Sequence, residues 1–259
     1  MSSRLRALLL LVAALAAALP ARADPGARLS VAAAANLSFA LGPLDDAFMR
    51  ANPDVAVTSA TGASGDLVAQ IEHGAPFDVF LSADLHFAQV LVNAGAAQAG
   101  SLNTFAVGRL VLWTTRDGID VSRVAQAVRS PLVRRIAIAN TTTAPFGRAA
   151  MQAMERLGVW ADAQPKLVVG ENISQATQFV ETGNADMGFV ALSMVLAPRL
   201  KGNGTWAEVP GSLYDPLEQG AVVTRHGSSN PAAERYIQFL HTGAARDVLE
   251  RYGYHFHVP

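Results

Sequence analysis

One construction recurs along the chain: a short apolar run, a turn of small or hydroxylated residues, and then an amphipathic run with helical spacing. Its first copy is VAAAAN at residues 31–36, where an apolar run typical of a buried strand ends at Asn36, a favourable residue before a helix. Similar turns lie at residues 60–66, 140–147 and 170–174. Strands and helices that alternate through short turns predict a mainly parallel α/β sheet with right-handed crossovers.

The predicted elements form two blocks of similar order. After the first strand, residues 55–60 and 78–82 predict two further strands, each followed by a helical pattern. The second block predicts strands at residues 108–115, 135–140, 166–169 and 186–192, and a late strand at 219–224 precedes two helices. The length suits one large α/β unit or two lobes. We expect two lobes, with residues 24–106 and 224–259 in the first and residues 107–223 in the second.

The N-terminal residues have the pattern of a secretory signal peptide. Residues 1–6 contain two arginines, residues 7–19 contain only alanine, leucine and valine, and an A-x-A cleavage pattern lies at residues 21–23. This apolar core is too short to span a bilayer. The sequence has no cysteine, so we expect neither a lipid attached through cysteine nor a disulfide bond. We expect residues 1–23 to be removed near Ala23, leaving a periplasmic protein that is not embedded in the membrane.

The charge balance of the exported chain argues against one class of partner. Removal of residues 1–23 takes away three of the 20 basic residues and none of the 21 acidic ones, which leaves a net charge of −4 with neutral histidines. A nucleic-acid partner requires a basic surface, so we expect none. A bound anion would have to be held by local dipoles rather than by the overall charge of the protein.

The four turns offer neutral hydrogen-bond donors and contain no lysine or arginine. Each turn follows the carboxyl end of a predicted parallel strand, where ligands of open α/β sheets collect. Each also leaves backbone N–H groups unpaired at a helix N-terminus, which favours anions. Ordinary helix capping is the simpler explanation for any single turn, whereas four turns together indicate a small oxyanion site. The polar residues that the turns provide are Asn36, Ser38, Thr61, Ser64, Thr141, Thr142, Thr143, Asn172 and Ser174.

Several motifs resemble those of the periplasmic molybdate-binding proteins of ABC importers. They are VAAAAN at residues 31–36, GASG at 62–65, GAPFDVFLSAD at 74–84, APFGRAA at 144–150, ADMGFVALS at 185–193 and LERYG at 249–253. The resemblance covers nearly the whole exported chain in the same order, and residues 74–84 carry its most specific part. It implies a two-lobe type II periplasmic binding protein fold, in which each lobe is a mainly parallel sheet flanked by helices. The ligand would lie in the cleft between the lobes.

The resemblance also implies which residues bind the ligand. The positions that match those of the family are Asn36 in the first turn, Ser64 in the second, the backbone N–H groups of Phe146 and Ile173, and a further N–H from Ala35. The family commonly supplies a tyrosine hydroxyl as well, either in the A-P-x-G turn or after the G-F-V strand. This chain has Phe146 and Ala191 at those two places, so one donor is missing.

These implications together predict a solute receptor and not an enzyme. We expect a monomer that captures molybdate or tungstate and delivers it to the membrane permease of an ABC importer, with no cofactor and no metal-cation site. Another oxyanion such as sulfate is the alternative within this class, and an exported enzyme on the same scaffold is the alternative outside it. The GASG turn differs from the G-x-S-x-G pattern of a nucleophile turn, and the six histidines are scattered along the chain.

Overall fold

The structure is a computed structural model that describes residues 26–256 of the chain. The predicted signal peptide and its cleavage site near Ala23 lie outside the described residues. Within residues 26–256, no helix is both long enough and apolar enough to cross a membrane. The described residues form two five-stranded sheets that are flanked by helices.

Strands and helices alternate along most of the described chain. The strands are β1 (Ala27–Ala34), β2 (Val55–Gly62), β3 (Val79–Ser82), β4 (Asn103–Gly108), β5 (Leu110–Thr114), β6 (Ile136–Ala139), β7 (Leu167–Gly170), β8 (Met187–Ala191), β9 (Thr205–Glu208) and β10 (Leu217–Val223). The α-helices are α1 (Leu41–Ala51), α2 (Ser64–Glu72), α3 (Leu85–Asn93), α4 (Val124–Arg129), α5 (Pro145–Arg156), α6 (Trp160–Ala163), α7 (Ile173–Glu181), α8 (Leu192–Val195), α9 (Pro231–Phe239) and α10 (Gly243–Arg251). Short 3-10 turns lie at Ala35–Leu37, Ala99–Ser101, Gln164–Lys166, Gly211–Leu213 and His226–Ser229.

Both sheets have the same arrangement of strand directions. In the first sheet, with the order β2-β1-β3-β10-β4, β1 is parallel to β2 and β3, and β10 is antiparallel to β3 and β4. In the second sheet, with the order β7-β6-β8-β5-β9, β6 is parallel to β7 and β8, and β5 is antiparallel to β8 and β9. Each sheet with its helices forms one lobe. The predicted two-lobe α/β fold is confirmed.

The chain crosses between the lobes at two places, and the second crossing differs from the expected division. The first crossing lies between β4 and β5, and the second lies between β9 and β10. We expected residues 107–223 to belong to the second lobe, but β10 lies in the first sheet, where Ala221 pairs with Leu81 and Leu217 pairs with Gly108. Because β10 fills the place between β3 and β4, the chain has already returned to the first lobe before Leu217.

Buried apolar residues explain why these segments form strands and where the C-terminus packs. Strands β3 and β6 are buried along their whole length, as expected for strands covered by helices. The C-terminal helices α9 and α10 pack on the first lobe, where Tyr236 and Leu249 share a buried cluster with Val31. The predicted return of the C-terminus to the first lobe is confirmed.

Candidate functional site

The carboxyl ends of the parallel strands of both lobes meet at one small cavity. Strands β1 and β2 end there from the first sheet, and the turns after β6 and β7 reach it from the second. The cavity is narrow and partly open to solvent. All five residues predicted to bind the ligand lie in its wall, which is formed by Ala34, Ala35, Asn36, Gly62, Ala63, Ser64, Ala83, Ala144, Pro145, Phe146, Asn172 and Ile173.

Three of the wall residues lie in the first turn of a helix. Ser64 is the first residue of α2, Ile173 is the first residue of α7, and Phe146 follows Pro145 at the start of α5. The first N–H groups of a helix have no carbonyl partner within the helix, and the helix dipole makes this end positive. Proline has no N–H, so Phe146 carries the first donor of α5. Three helix N-termini therefore converge on the cavity, an arrangement that suits an anion.

Ser64 offers the cavity a hydroxyl hydrogen. Its side chain is buried, and its Oγ accepts a hydrogen bond from the backbone N–H of Ala83 at 3.1 Å. A hydroxyl group has one hydrogen to donate in addition to the lone pairs that accept. Among residues 26–256, no acceptor takes that hydrogen, so it is available to a ligand.

Asn36 is held by a buried network that sequence reasoning missed. Its Nδ2 donates to Gln219 Oε1 at 2.6 Å and to Tyr254 Oη at 2.8 Å. Its backbone carbonyl accepts hydrogen bonds from Tyr254 Oη at 2.9 Å and from Ser193 Oγ at 2.7 Å. Both amide hydrogens of Asn36 are therefore used within the protein and are not offered to the cavity.

The two partners of the Asn36 amide are themselves fixed. Gln219 is fully buried, and its Nε2 donates to the backbone carbonyls of Ala83 at 3.0 Å and Leu217 at 2.8 Å. Burial raises the pKa of the Tyr254 phenol, so the phenol keeps its proton and remains a donor. The signal for Gln219 in the sequence was a polar residue within the apolar run LEQGAVV, but nothing there indicated its partner.

Two asparagines that were candidates for helix capping behave differently. Asn172 precedes α7, and its Oδ1 accepts hydrogen bonds from two backbone N–H groups of that helix at 3.0 and 3.1 Å, so the capping explanation holds there. Asn36 does not cap a helix, because it lies inside the turn Ala35–Leu37 and α1 begins only at Leu41. The prediction of a helix cap at Asn36 was wrong, since its side chain bonds to Gln219 instead of to the N–H groups that follow it.

Hydrogen bonds join the two lobes beside the cavity. Ser174 Oγ of the second lobe donates to the backbone carbonyl of Ala35 at 3.2 Å. The Gly65 N–H of the first lobe donates to the backbone carbonyl of Thr143 at 2.8 Å. The lobes are therefore in direct contact around the site. The polar turn residues that do not line the cavity are Ser38, Thr61, Thr141, Thr142, Thr143 and Ser174.

One ion pair also crosses the cleft near the cavity. Arg148 in α5 pairs with Asp84, and the other carboxylate oxygen of Asp84 caps α3 by accepting the N–H of Phe87 at 3.0 Å. Asp84 therefore has a structural role as the cap of α3. The cavity wall, as far as the described residues form it, contains no charged side chain. The charge of a bound anion would therefore be balanced by N–H groups and helix dipoles.

The two places where the family commonly has a tyrosine are both buried in this chain. Ala191 ends β8 and does not line the cavity. The ring of Phe146 lies close to Gly108, at the end of β4. If Gly108 had a Cβ, that atom would lie 3.0 Å from Phe146 Cζ. The Gln219 side chain lies at the same distance from that position. The ring of Phe146 therefore packs beside Gly108 and Gln219, while the residue also forms part of the cavity wall.

Sequence comparisons identify a family and several relatives of this chain. The family model described as a bacterial extracellular solute-binding protein matches residues 29–255. The molybdate-binding protein ModA of Azotobacter vinelandii is 41% identical over 245 residues, which are 94% of this chain and 96% of that protein. ModA of Rhodobacter capsulatus is 44% identical over 200 residues, which are 76% of this chain and 77% of that protein.

Comparisons with solved structures lead to the same family. The periplasmic molybdate-binding protein of Azotobacter vinelandii matches with a TM-score of 0.83 and 33% identity, covering 89% of this chain and 100% of that chain. The sulfate-binding protein SubI of Mycobacterium tuberculosis matches with a TM-score of 0.69 and 14% identity over 88% of this chain and 86% of that chain, which shows a shared fold alone. The resemblance indicated by the motifs is confirmed. This chain belongs to the bacterial extracellular solute-binding protein family.

Proposed function

We propose that this chain is a non-enzymatic receptor that captures molybdate or tungstate in the periplasm and delivers it to the membrane permease of an ABC importer. The observation that carries the proposal is the cavity, where three helix N-termini and the Ser64 hydroxyl surround a space whose described wall has no charged side chain. Identities of 41% and 44% to two proteins named for molybdate binding support this choice of ligand.

The proposed contacts come from neutral groups. Ser64 would donate through its hydroxyl, Phe146 and Ile173 through their backbone N–H groups, and Ala35 and Asn36 through further N–H groups of the first turn. Hydrogen bonds to a charged partner contribute about 1.5–3 kcal/mol each. Micromolar binding corresponds to roughly 8 kcal/mol, so several such bonds are required, because part of the gain is lost to ordering. Neutral donors also allow the ion to leave when the permease opens the lobes.

The wall of the cavity favours binding over catalysis. General acid–base catalysis requires a titratable side chain within hydrogen-bond reach of the substrate, and a serine nucleophile requires an adjacent base. The described wall residues include no titratable side chain, and the protein group that contacts Ser64 Oγ is the backbone N–H of Ala83. These observations support a receptor that returns its ligand unchanged.

Thermal unfolding with a panel of oxyanions tests the proposal and its alternative ligand. A ligand at 100 times its Kd raises the free energy of unfolding by about 2.7 kcal/mol. At equal ionic strength, we expect molybdate and tungstate to raise the melting temperature at concentrations far below those at which sulfate does. Sulfate as effective as molybdate would identify a different receptor within the class, and no shift with any of the ions would contradict the receptor proposal.

A second measurement separates a receptor from an enzyme on the same scaffold. Molybdate incubated with the protein and then recovered by unfolding should have an unchanged absorption spectrum and an unchanged amount. Chemical conversion of the ion that requires the folded protein would contradict the non-enzymatic assignment.

A further inference from the structure

Two serines of the second lobe donate hydrogen bonds to neighbouring backbone carbonyls of the first lobe. Ser174 Oγ, in α7, lies 3.2 Å from the carbonyl oxygen of Ala35. Ser193 Oγ, in α8, lies 2.7 Å from the carbonyl oxygen of Asn36. Ala35 and Asn36 are buried and belong to the cavity wall, whereas neither serine lines the cavity. The second lobe therefore holds the backbone of this part of the wall from positions outside the wall.

The bond from Ser174 controls the direction of one backbone N–H group. The Ala35 carbonyl and the Asn36 N–H belong to the same trans peptide unit, so they point in opposite directions. The carbonyl faces Ser174 and also accepts the Ser38 N–H at 3.1 Å, and neither of these residues lines the cavity. Within residues 26–256, no acceptor takes the Asn36 N–H. This buried donor is therefore turned away from Ser174 and is free to bind a ligand.

The Ser174 hydroxyl is not needed as a cap of its own helix. Asn172 Oδ1 caps α7, and it accepts the backbone N–H of Ser174 at 3.0 Å. Ser38 Oγ lies 3.2 Å from Ser174 Oγ. Because Ser174 gives its one hydroxyl hydrogen to the Ala35 carbonyl, Ser38 is the donor of that pair. The hydroxyl of Ser174 thus makes both of its hydrogen bonds across the cleft.

We propose that Ser174 is a positioning residue, which turns the Asn36 backbone N–H toward the bound oxyanion when the lobes close. This inference rests on the proposed function, because the donor that Ser174 orients is one of those that would hold molybdate or tungstate. Ser174 belongs to the second lobe and Ala35 to the first, so their bond exists only while the cleft is closed. The Asn36 N–H is therefore held in its binding direction only in the closed state.

The serine bond and the bound ion should strengthen each other. A hydrogen bond accepted by a peptide carbonyl polarises the peptide unit and makes its N–H a stronger donor. In the same way, an anion on the Asn36 N–H makes the Ala35 carbonyl a stronger acceptor for Ser174. The ion then binds the closed arrangement more tightly than the open one, which is the condition for a ligand to shift the population toward closure.

The substitution Ser174→Ala tests the positioning role by calorimetry. We expect the affinity for molybdate to fall about fivefold, which is the effect of one hydrogen bond between neutral groups. The melting temperature of the free protein should change little, because the open state lacks this bond. Ser174→Thr keeps the hydroxyl and should restore the affinity. Thr182→Val is the matched control, because Thr182 Oγ1 donates to the Gln178 carbonyl at 2.8 Å within the second lobe, and it should leave the affinity unchanged.

The NMR signal of the Asn36 backbone amide separates a positioning role from a simple contact between the lobes. Hydrogen bonding to the ion should move this amide proton downfield in the unmodified protein at saturating molybdate. The displacement should be smaller in Ser174→Ala at saturation and should return to its full size in Ser174→Thr. All three proteins are isotope-labelled and measured at the same pH and salt concentration.

The outcomes of these measurements are distinct. Unchanged affinity in Ser174→Ala would overturn the inference. A weaker complex in which the Asn36 signal moves as far as in the unmodified protein would also overturn it, since Ser174 would then only hold the lobes together. In both cases the unmodified protein still binds molybdate in the same titration, and the proposed function stands. Absence of molybdate binding by the unmodified protein would remove both.

Discussion

At the scale of single residues, Ser64 and Asn36 both lie in the cavity wall, but their side chains differ in the hydrogen-bonding groups that remain unused. Ser64 Oγ accepts the N–H of Ala83 and keeps a hydrogen to donate. Asn36 donates both amide hydrogens, to Gln219 and to Tyr254, and its Oδ1 remains without a hydrogen-bond partner. The groups that a polar residue can offer a ligand are thus the donors and acceptors that are not already bonded to its neighbours.

Replacement of Ser64 by alanine tests the donor role of its hydroxyl. Molybdate binding should weaken by about 1.5–3 kcal/mol, the range for hydrogen bonds to charged groups. The free protein should lose only about 1 kcal/mol of stability, because the Ala83 N–H loses its acceptor. Binding calorimetry, together with thermal unfolding of the free protein, separates the two effects.

Thr242→Ala is the matched control for this substitution. Thr242 caps α10 by accepting the N–H of Ala245 at 3.4 Å, and it does not line the cavity. Its loss should cost about 1 kcal/mol of stability and leave the affinity for molybdate unchanged. If Ser64→Ala behaved in the same way, Ser64 would have a structural role alone.

The sequence was sufficient to locate Ser64, Phe146 and Ile173 in the cavity wall, but not to find the network around Asn36. Ser64 follows from a local pattern of strand, turn and helix, whereas Phe146 and Ile173 follow from the resemblance to the family. Gln219 and Tyr254 lie 183 and 218 residues from Asn36 along the chain. A polar residue in a strand has the same appearance whether it faces solvent or a buried partner, so its hydrogen bonds become visible only once the sheet is assembled.

At the scale of elements, the close approach of α5 to the end of β6 determines where Phe146 lies. The next residue, Gly147, has no side chain, and a Cβ there would lie 2.3 Å from the carbonyl oxygen of Ala139 and 2.4 Å from that of Asn140. Such distances are far below van der Waals contact, so a larger residue would force the helix away from the strand. Glycine at this position therefore holds the N-terminus of α5 at the cavity.

Gly147→Ala tests this packing. The start of α5 should shift, taking the Phe146 N–H away from the ion, and molybdate affinity should fall by about tenfold or more. Gly42→Ala in α1 is the control, because a Cβ at Gly42 would meet no atom within 4 Å. That control should leave molybdate binding unchanged, because Gly42 does not line the cavity. Unchanged calorimetric affinity for Gly147→Ala would show that this contact does not position the site.

The order of the elements followed from the sequence, but the sheet to which β10 belongs did not. Its run from Leu217 to Val223 is apolar and mostly buried, as a central strand of either sheet would be. Its place is decided by pairing with β3 and β4. Leu217 pairs with Gly108, which lies 109 residues earlier in the chain, and Ala221 pairs with Leu81, which lies 140 residues earlier. Local periodicity carries no information about such distant partners.

At the scale of the whole molecule, the two lobes are joined by two crossings and touch directly around the cavity. The ion pair between Arg148 and Asp84 connects them across the cleft, and the bond from Ser193 Oγ to the Asn36 carbonyl connects them on another side. A hinge at the two crossings would open the cleft and break these contacts together. The contacts between lobes should therefore govern how fast a bound ion leaves.

Arg148→Gln tests this coupling. Removal of the ion pair should raise the dissociation rate of molybdate a few-fold with a smaller change in the association rate, as is usual when contacts of a closed complex are lost. Arg129→Gln, which breaks an exposed ion pair with Asp162 inside the second lobe, should change neither rate. Stopped-flow measurements on both variants and on the unmodified protein give these rates. If Arg148→Gln released molybdate as slowly as the unmodified protein, the Arg148 pair would not hold the lobes together.

Anomalous diffraction at the molybdenum edge, from crystals of the protein grown with molybdate, locates the bound ion most directly. We predict one strong peak inside the cavity, with oxygens of the ion within hydrogen-bond distance of Ser64 Oγ and of the backbone nitrogens of Phe146 and Ile173. A peak at any other place on the molecule, or a cavity without a peak at saturating molybdate, would contradict the assignment of this site.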